Sequence, residues 1–479
     1  MIKKIKNYII NNKQKCFIFG FLILYFITLS WYSFNDISLW WDQSVYIGMG
    51  KYIASGGNFG MWEIFRPPLL PLFYFLLFKL GIPLVFAGKL LVILTSIGSI
   101  YLVYLISELI RKGSGIFSSI FLAITPIFFL FSRVPMTDVM SVFFTLLAVF
   151  LYLHKKYFLT GIVVALSFLL RFPQGLILLS IAIIIVYETY NNNLVLWIKE
   201  LFTRGFTVLS GFLIIVIPYF ISNFLLYGDF LQPIISGSKI INLNDTSRYL
   251  YDFGFLFYVK ELWLKSPFLY FSVLTPLIFL KKDFFVNNKF KKNLIAVIII
   301  VVIFMLYFFW QPHKELRYAI AFIPYLAILS GVSFYLILKW IRKDIIILIA
   351  FSIFLVFWIN KSIPYMKGDN NNVYIPLNKY IETLKGSYIS TTPIPVALSN
   401  VHILKLFDST TNFHHSFDNN KDLIDGIVLN DCEIFCLEKS KIDMCEKDVN
   451  NIYGEINDSH YKKTFELKIN KCTYSVYKK

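Results

Sequence analysis

Long runs without a charged residue recur along the first 360 positions. They are Cys16–Asn35, Leu90–Ser107, Gly113–Ser132, Val139–His154, Tyr157–Leu170, Phe172–Tyr187, Gly205–Gly228, Ser266–Leu280, Asn293–His313, Tyr318–Leu338 and Ile345–Asn360. A helix that crosses a bilayer needs about 20 mostly apolar residues, with a range of about 17–25. The eleven runs reach or approach that length, and flanking Lys and Arg extend the shorter ones by snorkelling to the interface. A further run, Pro67–Phe78, is too short to span. Its two leading prolines suit a helix that starts at the membrane surface and lies along it. The pattern predicts about 11 transmembrane helices in residues 1–360, with an outer loop, 36–89, that carries interfacial helices.

The pattern changes after Lys361. Val373–Leu384 has helical spacing, and Ser387–Ser390, Ile403–Phe407, Gly426–Leu429 and Cys472–Tyr477 read as strands. Residues 361–479 are therefore read as a small α/β domain. The expected fold class is a polytopic α-helical membrane protein with a C-terminal extracytoplasmic α/β domain.

Composition agrees: 57% of the 479 residues are hydrophobic and 16% charged, against about 25% charged in an ordinary soluble domain. The formal charge of +17 first suggests a polyanion partner. Its location removes that reading. The tail holds 15 basic and 15 acidic residues, so the whole excess belongs to the apolar body, and no nucleic-acid partner is expected. With the N-terminus in the cytoplasm and eleven spans, the cytoplasmic side carries 19 basic and 5 acidic residues. The outer side of the body carries 12 and 9. This is the positive-inside bias of a multi-pass protein of the plasma membrane. Counting Pro67–Phe78 as a span would reverse it. The first apolar run resembles a signal peptide but is too long, and Trp31-Tyr32-Ser33-Phe34 stands where a small-residue cleavage site belongs. It is read as an uncleaved first span.

An odd number of spans leaves the tail outside, and cysteine usage supports this. Four of the five Cys, Cys432, Cys436, Cys445 and Cys472, fall in the tail. An even set in a short polar domain suggests disulfides and an oxidising compartment. Three pairings are open; the short gap between Cys436 and Cys445 favours joining those two and, with them, Cys432 to Cys472. The spacings fit a zinc site poorly. His414 and His415 are adjacent and share no face, so they are read as surface-loop histidines rather than a metal pair. The sequons at Asn244 and Asn457 carry little weight.

Polar groups next to membrane spans are expensive and informative. Five sets stand at the predicted outer face: Trp40-Trp41-Asp42-Gln43; Arg66-Pro67-Pro68; Arg133 to Asp138; Arg171-Phe-Pro-Gln174; and His313-Lys314-Glu315-Leu316-Arg317-Tyr318. Singly, Asp42 and Asp138 suit helix caps, and Arg133 and Arg171 suit interfacial anchors. Together they place two acids and several cations on one membrane face. A carboxylate can take the proton of an acceptor hydroxyl. Arg, Lys and His can hold a lipid phosphate and stabilise it as a leaving group. A phosphate leaves without protonation, so one base suffices, unlike the two carboxylates of a glycosidase.

The order of these motifs resembles the GT-C class of membrane glycosyltransferases, over roughly residues 35–320. The acid in the first outer loop, the Arg-Pro-Pro closing it and the Thr-Asp opening the fourth span are similar to protein O-mannosyltransferases and aminoarabinose transferases. The His-Lys-Glu-x-Arg-aromatic run is similar to the mannosyltransferases of lipid-linked glycan and GPI-anchor assembly. The resemblance implies transfer of a monosaccharide from a polyprenyl (dolichyl) phosphate-linked sugar to an extracytoplasmic protein or glycan acceptor, with inversion. It implies that Asp42 is the base and Asp138 a second acid. Arg66, Arg133, Arg171, His313, Lys314, Glu315, Arg317 and Tyr318 would bind the donor. Arg171-Phe-Pro stands where relatives have Lys-Gly-Pro, and Asp42-Gln43 where many have Asp-Glu. No cofactor is certain, and a divalent cation is left open. The competing readings are a lipid-linked glycan flippase or transporter, which would place polar groups at the bilayer midplane, and a non-catalytic envelope protein.

Overall fold

A computed structural model describes residues 13–190, 193–243, 253–278, 288–341, 374–434, 446–469 and 471–479, and 349, 352, 356 and 360 singly. By contacts the chain forms two compact units. The first comprises Met1–Ser33, Leu90–Leu231 and Phe253–Lys367, and the second Phe34–Lys89, Gln232–Asp252 and Gly368–Lys479.

The helices, in chain order, are α1 (Lys13–Asn35), α2 (Trp41–Ser55), α3 (Leu69–Lys79), α4 (Leu84–Ile110), α5 (Gly115–Ala123), α6 (Pro126–Phe131), α7 (Thr137–Leu153), α8 (Tyr157–Leu170), α9 (Leu176–Thr189) and α10 (Leu194–Tyr227). They continue as α11 (Gln232–Leu243), α12 (Phe257–Lys265), α13 (Thr275–Ile278), α14 (Asn288–Trp310) and α15 (Ile323–Ile341). Among the described residues six helical stretches are long and apolar enough to cross a bilayer: Gln14–Asn35, Leu84–Ile110, Phe172–Thr189, Leu194–Tyr227, Lys289–Trp310 and Ile323–Trp340. Thr137–Leu153 and Tyr157–Leu170 are shorter apolar helices. The chain is a multi-pass α-helical membrane protein. Most of the eleventh expected span, Ile345–Asn360, lies outside the described residues.

Four expected spans are not continuous α-helices: Phe172–Tyr187 and Tyr318–Leu338 open in 3-10 turns, Phe172–Gly175 and Leu316–Ala321, and two others are interrupted. Gly113–Ser132 breaks at Thr125, which adopts an extended conformation (φ −67°, ψ 115°) before Pro126. The proline ring disfavours the helical region for the residue ahead of it. Ser266–Leu280 forms a 3-10 turn, Pro267–Leu274, followed by the single turn α13.

The first unit owes its tightest contact to two glycines. A Cβ at Gly161 of α8 would lie 1.9 Å from the Val208 carbonyl oxygen, and one at Gly211 of α10 would lie 2.1 Å from that of Phe158. The two backbones therefore touch, as small residues allow between membrane helices. Gly211→Val is expected to cost about 1–3 kcal/mol or more through overpacking, read as a lower melting temperature of the detergent-purified protein. An unchanged melt would show that this crossing contributes nothing.

The second unit is built on a five-stranded sheet in the order β2-β1-β3-β5-β4. The strands are β1 (Gly386–Ser390), β2 (Val401–Leu406), β3 (Gly426–Asn430), β4 (Lys462–Ile469) and β5 (Cys472–Lys478). β1 pairs in parallel with β2 and β3, while β5 runs antiparallel to β3 and β4. Along β1, β3 and β5 the buried side chains alternate between the two faces. Tyr388, Val428 and Val476 enter a core on one face; Ile389, Ile427, Leu429 and Tyr477 enter a core on the other. Every residue of β3 is buried, because both faces are covered, which is why it reads as a continuous apolar run. Helices α16 (Ile375–Glu382) and α17 (Ile394–Leu398) cover the first face, and α18 (Thr410–Asp418) and α19 (Glu446–Asn457) the second. The first core also contains Val45, Met49 and Met61 from the loop that follows α1.

The four sequence-predicted strands and the helix near Val373–Leu384 are present. β4 is additional. His414 and His415 lie on α18 rather than in a loop. The Ser409 hydroxyl caps that helix by accepting from Asn412 N, and Phe413 stacks on Phe417 one turn later. Both histidines are exposed, and His414 Nδ1 lies 3.0 Å from Glu455 Oε2 of α19.

Candidate functional site: two carboxylate–guanidinium centres

Asp42 lies in the first turn of α2 and Asp138 in the first turn of α7. Neither is a cap. The cap positions are Trp40 and Met136, and neither makes a side-chain capping bond. A carboxylate in the first turn is stabilised by the helix N-terminus, and in both cases an arginine completes its surroundings.

In the second unit Arg66 Nη2 lies 2.7 Å from Asp42 Oδ1, while Arg66 Nε lies 2.7 Å from Glu63 Oε2. The guanidinium stands over the rings of Phe65 and Tyr46, at 5.2 and 5.4 Å from their centroids. Burial works against its charge, but the Asp42 and Glu63 carboxylates outweigh it and hold Arg66 protonated well beyond its ordinary range. Glu63 was not singled out from the sequence. Its place three residues before Arg66, within reach of one turn, was the available signal.

In the first unit Arg171 Nη1 is ion-paired with Asp138 Oδ1. The Asp138 side chain is buried, and the Arg171 guanidinium lies 5.0 Å from the Tyr318 ring centroid. Arg171 is the residue after α8, in extended conformation (φ −157°, ψ 112°), where the chain turns into the 3-10 segment Phe172–Gly175. Gln174, from the same segment, is buried and donates to the Ser141 hydroxyl.

The run His313–Tyr318 folds around one carboxylate. Glu315 Oε1 accepts from His313 Nε2, Arg317 Nη2 and the Tyr318 hydroxyl, each at 2.9 Å. Its other oxygen lies 2.7 Å from Arg317 Nε. Burial opposes ionisation of Glu315, yet the His313, Arg317 and Tyr318 donors overcome it and hold the carboxyl at about 2. Lys314 is buried and donates to the Gln311 carbonyl at 2.7 Å. Tyr258 of α12 is fully buried, and its phenol is pushed up by burial and by the Glu315 carboxylate. That tyrosine was also not singled out from the sequence, since nothing near it in the chain carries a motif.

Arg133 is buried, with its guanidinium 5.5 Å from the Tyr32 ring centroid and 5.4 Å from that of Phe129. Its carbonyl accepts from the Ser33 hydroxyl. The structure thus groups Asp42 with Arg66, and Asp138 with Arg171 beside Tyr318 and the Glu315 cluster. Arg133 stands against the rings of Tyr32 and Phe129.

In the tail Cys432 and Cys472 form a disulfide, the pairing favoured by the sequence. Cys436 and Cys445 lie outside the described residues, as does Asn244. Among the described residues one group of three metal-type ligands is close enough to share an ion: Asp431, Cys432 and Cys472. Both sulfurs there are committed to the disulfide, so the group does not fit a metal.

No family model matches the chain, and no curated protein matches it in sequence. Solved structures do match it. ArnT from Cupriavidus metallidurans bound to undecaprenyl phosphate superposes with a TM-score of 0.64 at 11% identity, over 97% of this chain and 98% of that one. The Archaeoglobus fulgidus oligosaccharyltransferase, in complex with Zn and sulfate, matches with a TM-score of 0.55 at 14% identity, over 87% of this chain and 68% of that one. The mycobacterial arabinofuranosyltransferase AftD matches with a TM-score of 0.50 at 11% identity, over 96% of this chain but 41% of that one. The fold is that of the GT-C class of membrane glycosyltransferases. The near-complete mutual coverage with ArnT includes both the helical body and the C-terminal sheet domain.

Proposed function

We propose that the chain transfers a monosaccharide from a polyprenyl phosphate-linked sugar to an extracytoplasmic protein or lipid-linked glycan, with Asp42 as the base. The observation that carries this reading is the Asp42–Arg66–Glu63 arrangement. A base must start as the free carboxylate, and a neighbouring guanidinium favours that form. The acceptor hydroxyl gives its proton to Asp42 as its oxygen bonds to the anomeric carbon. The bond from that carbon to the phosphate oxygen breaks, and its electron pair leaves with the polyprenyl phosphate. Attack opposite the leaving group inverts the anomeric carbon. Cations that offset charge on the departing phosphate stabilise the transition state, and Arg66, Arg133, Arg171, His313, Lys314 and Arg317 are proposed for that role. Glu315 holds His313, Arg317 and Tyr318 in place for it, and Asp138 does the same for Arg171. The neighbour solved with undecaprenyl phosphate supports a lipid-phosphate donor for this chain. The proposed setting is the plasma membrane, with the N-terminus cytoplasmic and the sheet domain outside.

The test is an in vitro transfer assay with the purified protein in proteoliposomes and a panel of polyprenyl-phosphate sugars. Transfer with an inverted anomeric product is expected from at least one donor. Retention of configuration, or movement of lipid-linked sugar across the bilayer without transfer, would overturn the reading.

A further inference from the structure

The second unit joins the loop that carries Asp42 to the C-terminal sheet domain, which no role has yet been given. Three contacts show how closely. First, Val45, Met49 and Met61 share a core with Leu377, Tyr388, Val396 and Ile403 of the tail. Second, Gly60 N donates to the Val401 carbonyl at 2.7 Å, and Ile403 N donates to the Gly60 carbonyl at 2.9 Å, so Gly60 bridges onto the free edge of β2. Gly60 has φ +86°, and a Cβ there would lie 2.1 Å from the Gly48 carbonyl oxygen, so the position accepts only glycine. Third, the Lys51 ammonium is buried and donates to the carbonyls of Ser399, at 2.9 Å, and Ala397, at 3.4 Å. Those carbonyls close the C-terminal end of α17, where helix carbonyls lack partners and a cation is favoured.

We propose that α17 of the tail is the seat that positions α2, and so the base, with Lys51 and Gly48 as positioning residues. This inference rests on Asp42 being the base. Gly48 faces α17 so closely that a Cβ there would lie 2.5 Å from Val396 Cγ2. On the same helix, a Cβ at Gly50 would lie 2.4 Å from Tyr74 Cβ of α3. α2 is thus wedged between the tail on one side and α3 on another, with no room for a side chain at either contact. Lys51 sits nine residues beyond Asp42, about 14 Å along the helix axis. A helix is a stiff lever over that length, so a small tilt at the seat moves the carboxylate. A displacement of about 1 Å at a reacting group costs on the order of a hundredfold in rate. The tail therefore sets the turnover of a base it does not itself contain.

Two readouts test this. The first is kinetic. Gly48→Ala inserts a methyl against Val396 and is expected to lower kcat about tenfold or more with donor KM nearly unchanged. Val396→Ala removes the opposing methyl groups, so the double variant Gly48→Ala/Val396→Ala recovers most of the loss. Lys51→Met lowers kcat in the same way, and Lys51→Arg restores part of it. The second readout needs no activity. A cysteine at position 42 (Asp42→Cys, with Cys16→Ser) is labelled by a water-soluble thiol reagent, with the parent lacking the Asp42→Cys change as background. Gly48→Ala is expected to change the labelling rate, and adding Val396→Ala to return it. An unchanged labelling rate in a protein that melts normally overturns the positioning role whatever the activity. A changed and rescued rate in a protein that transfers no sugar supports the seat and overturns the proposed function instead.

Discussion

Asp42→Asn is expected to reduce sugar transfer by about a hundred- to ten-thousandfold, the range over which a positioned base contributes. Asn keeps the shape of the side chain but loses its charge and its ability to take a proton. The surroundings should survive the change, because Arg66 is held twice. Its Nη2 loses a charged partner at position 42, but its Nε keeps the Glu63 carboxylate at 2.7 Å. Its stacking on Phe65 and Tyr46 is untouched. The loss should therefore appear in kcat, with binding of a polyprenyl phosphate nearly unchanged. The measurement is single-turnover transfer alongside equilibrium binding of the lipid phosphate. Asp42→Asn transferring within about threefold of wild type would remove Asp42 as base, since a base worth so little falls below the known range. Glu63→Gln is the informative contrast. It removes the second anchor of the guanidinium while leaving the base intact, so it should weaken lipid-phosphate binding more than the chemical step.

How much of this was legible in the sequence depends on which physical signal marks each element. The helical body was legible because a bilayer demands long apolar runs, and ten of the eleven runs fall on helical segments among the described residues, six of them long and apolar enough to cross. Their local breaks were less so: Pro126 marked one in plain view, but the apolar run continued through it. β3 was legible because burial on both faces makes it apolar throughout. β4 was not. Its alternation of Phe465, Leu467 and Ile469 is real, but it lies at the sheet edge, and Lys462, Lys463 and Lys468 dilute it. Lysines on an exposed edge discourage pairing with other chains, so the feature that protects the strand also disguises it. At the candidate site the sequence named Asp42, Arg66, Asp138, Arg171 and the His313–Tyr318 run, because charges beside spans stand out against an apolar background. It paired none of them. Pairing depends on how loops close, and Arg171 reaches Asp138 across 33 positions of chain. Lys51 was not singled out for the opposite reason. No motif surrounds it in the sequence, and its place is visible only in its burial against Ser399 and Ala397, about 350 positions away.

Glu315→Gln is expected to be strongly destabilising, at about 1–3 kcal/mol, the cost of leaving partly buried donors without their charged acceptor. The reason lies in what the carboxylate holds. One oxygen accepts from His313, Arg317 and Tyr318, and the other faces Arg317 Nε. A glutamine offers one acceptor oxygen in place of two and turns its amide protons toward groups that are themselves donors. The Arg317 guanidinium loses the Glu315 carboxylate it faces. The effect should carry a pH signature whose sign follows from the pKa. The Glu315 carboxyl is held at about 2, below its ordinary 4.5, by its donors. A depressed carboxyl stabilises the fold above its unfolded value and loses that contribution as pH falls through the folded one. The stability gap between wild type and Glu315→Gln should thus be full above about pH 4.5 and close between there and about pH 2. Thermal melts of both proteins across that range read it directly. A gap independent of pH would mean that the variant is destabilised by shape alone, and that Glu315 is not the anion around which His313, Arg317 and Tyr318 are arranged.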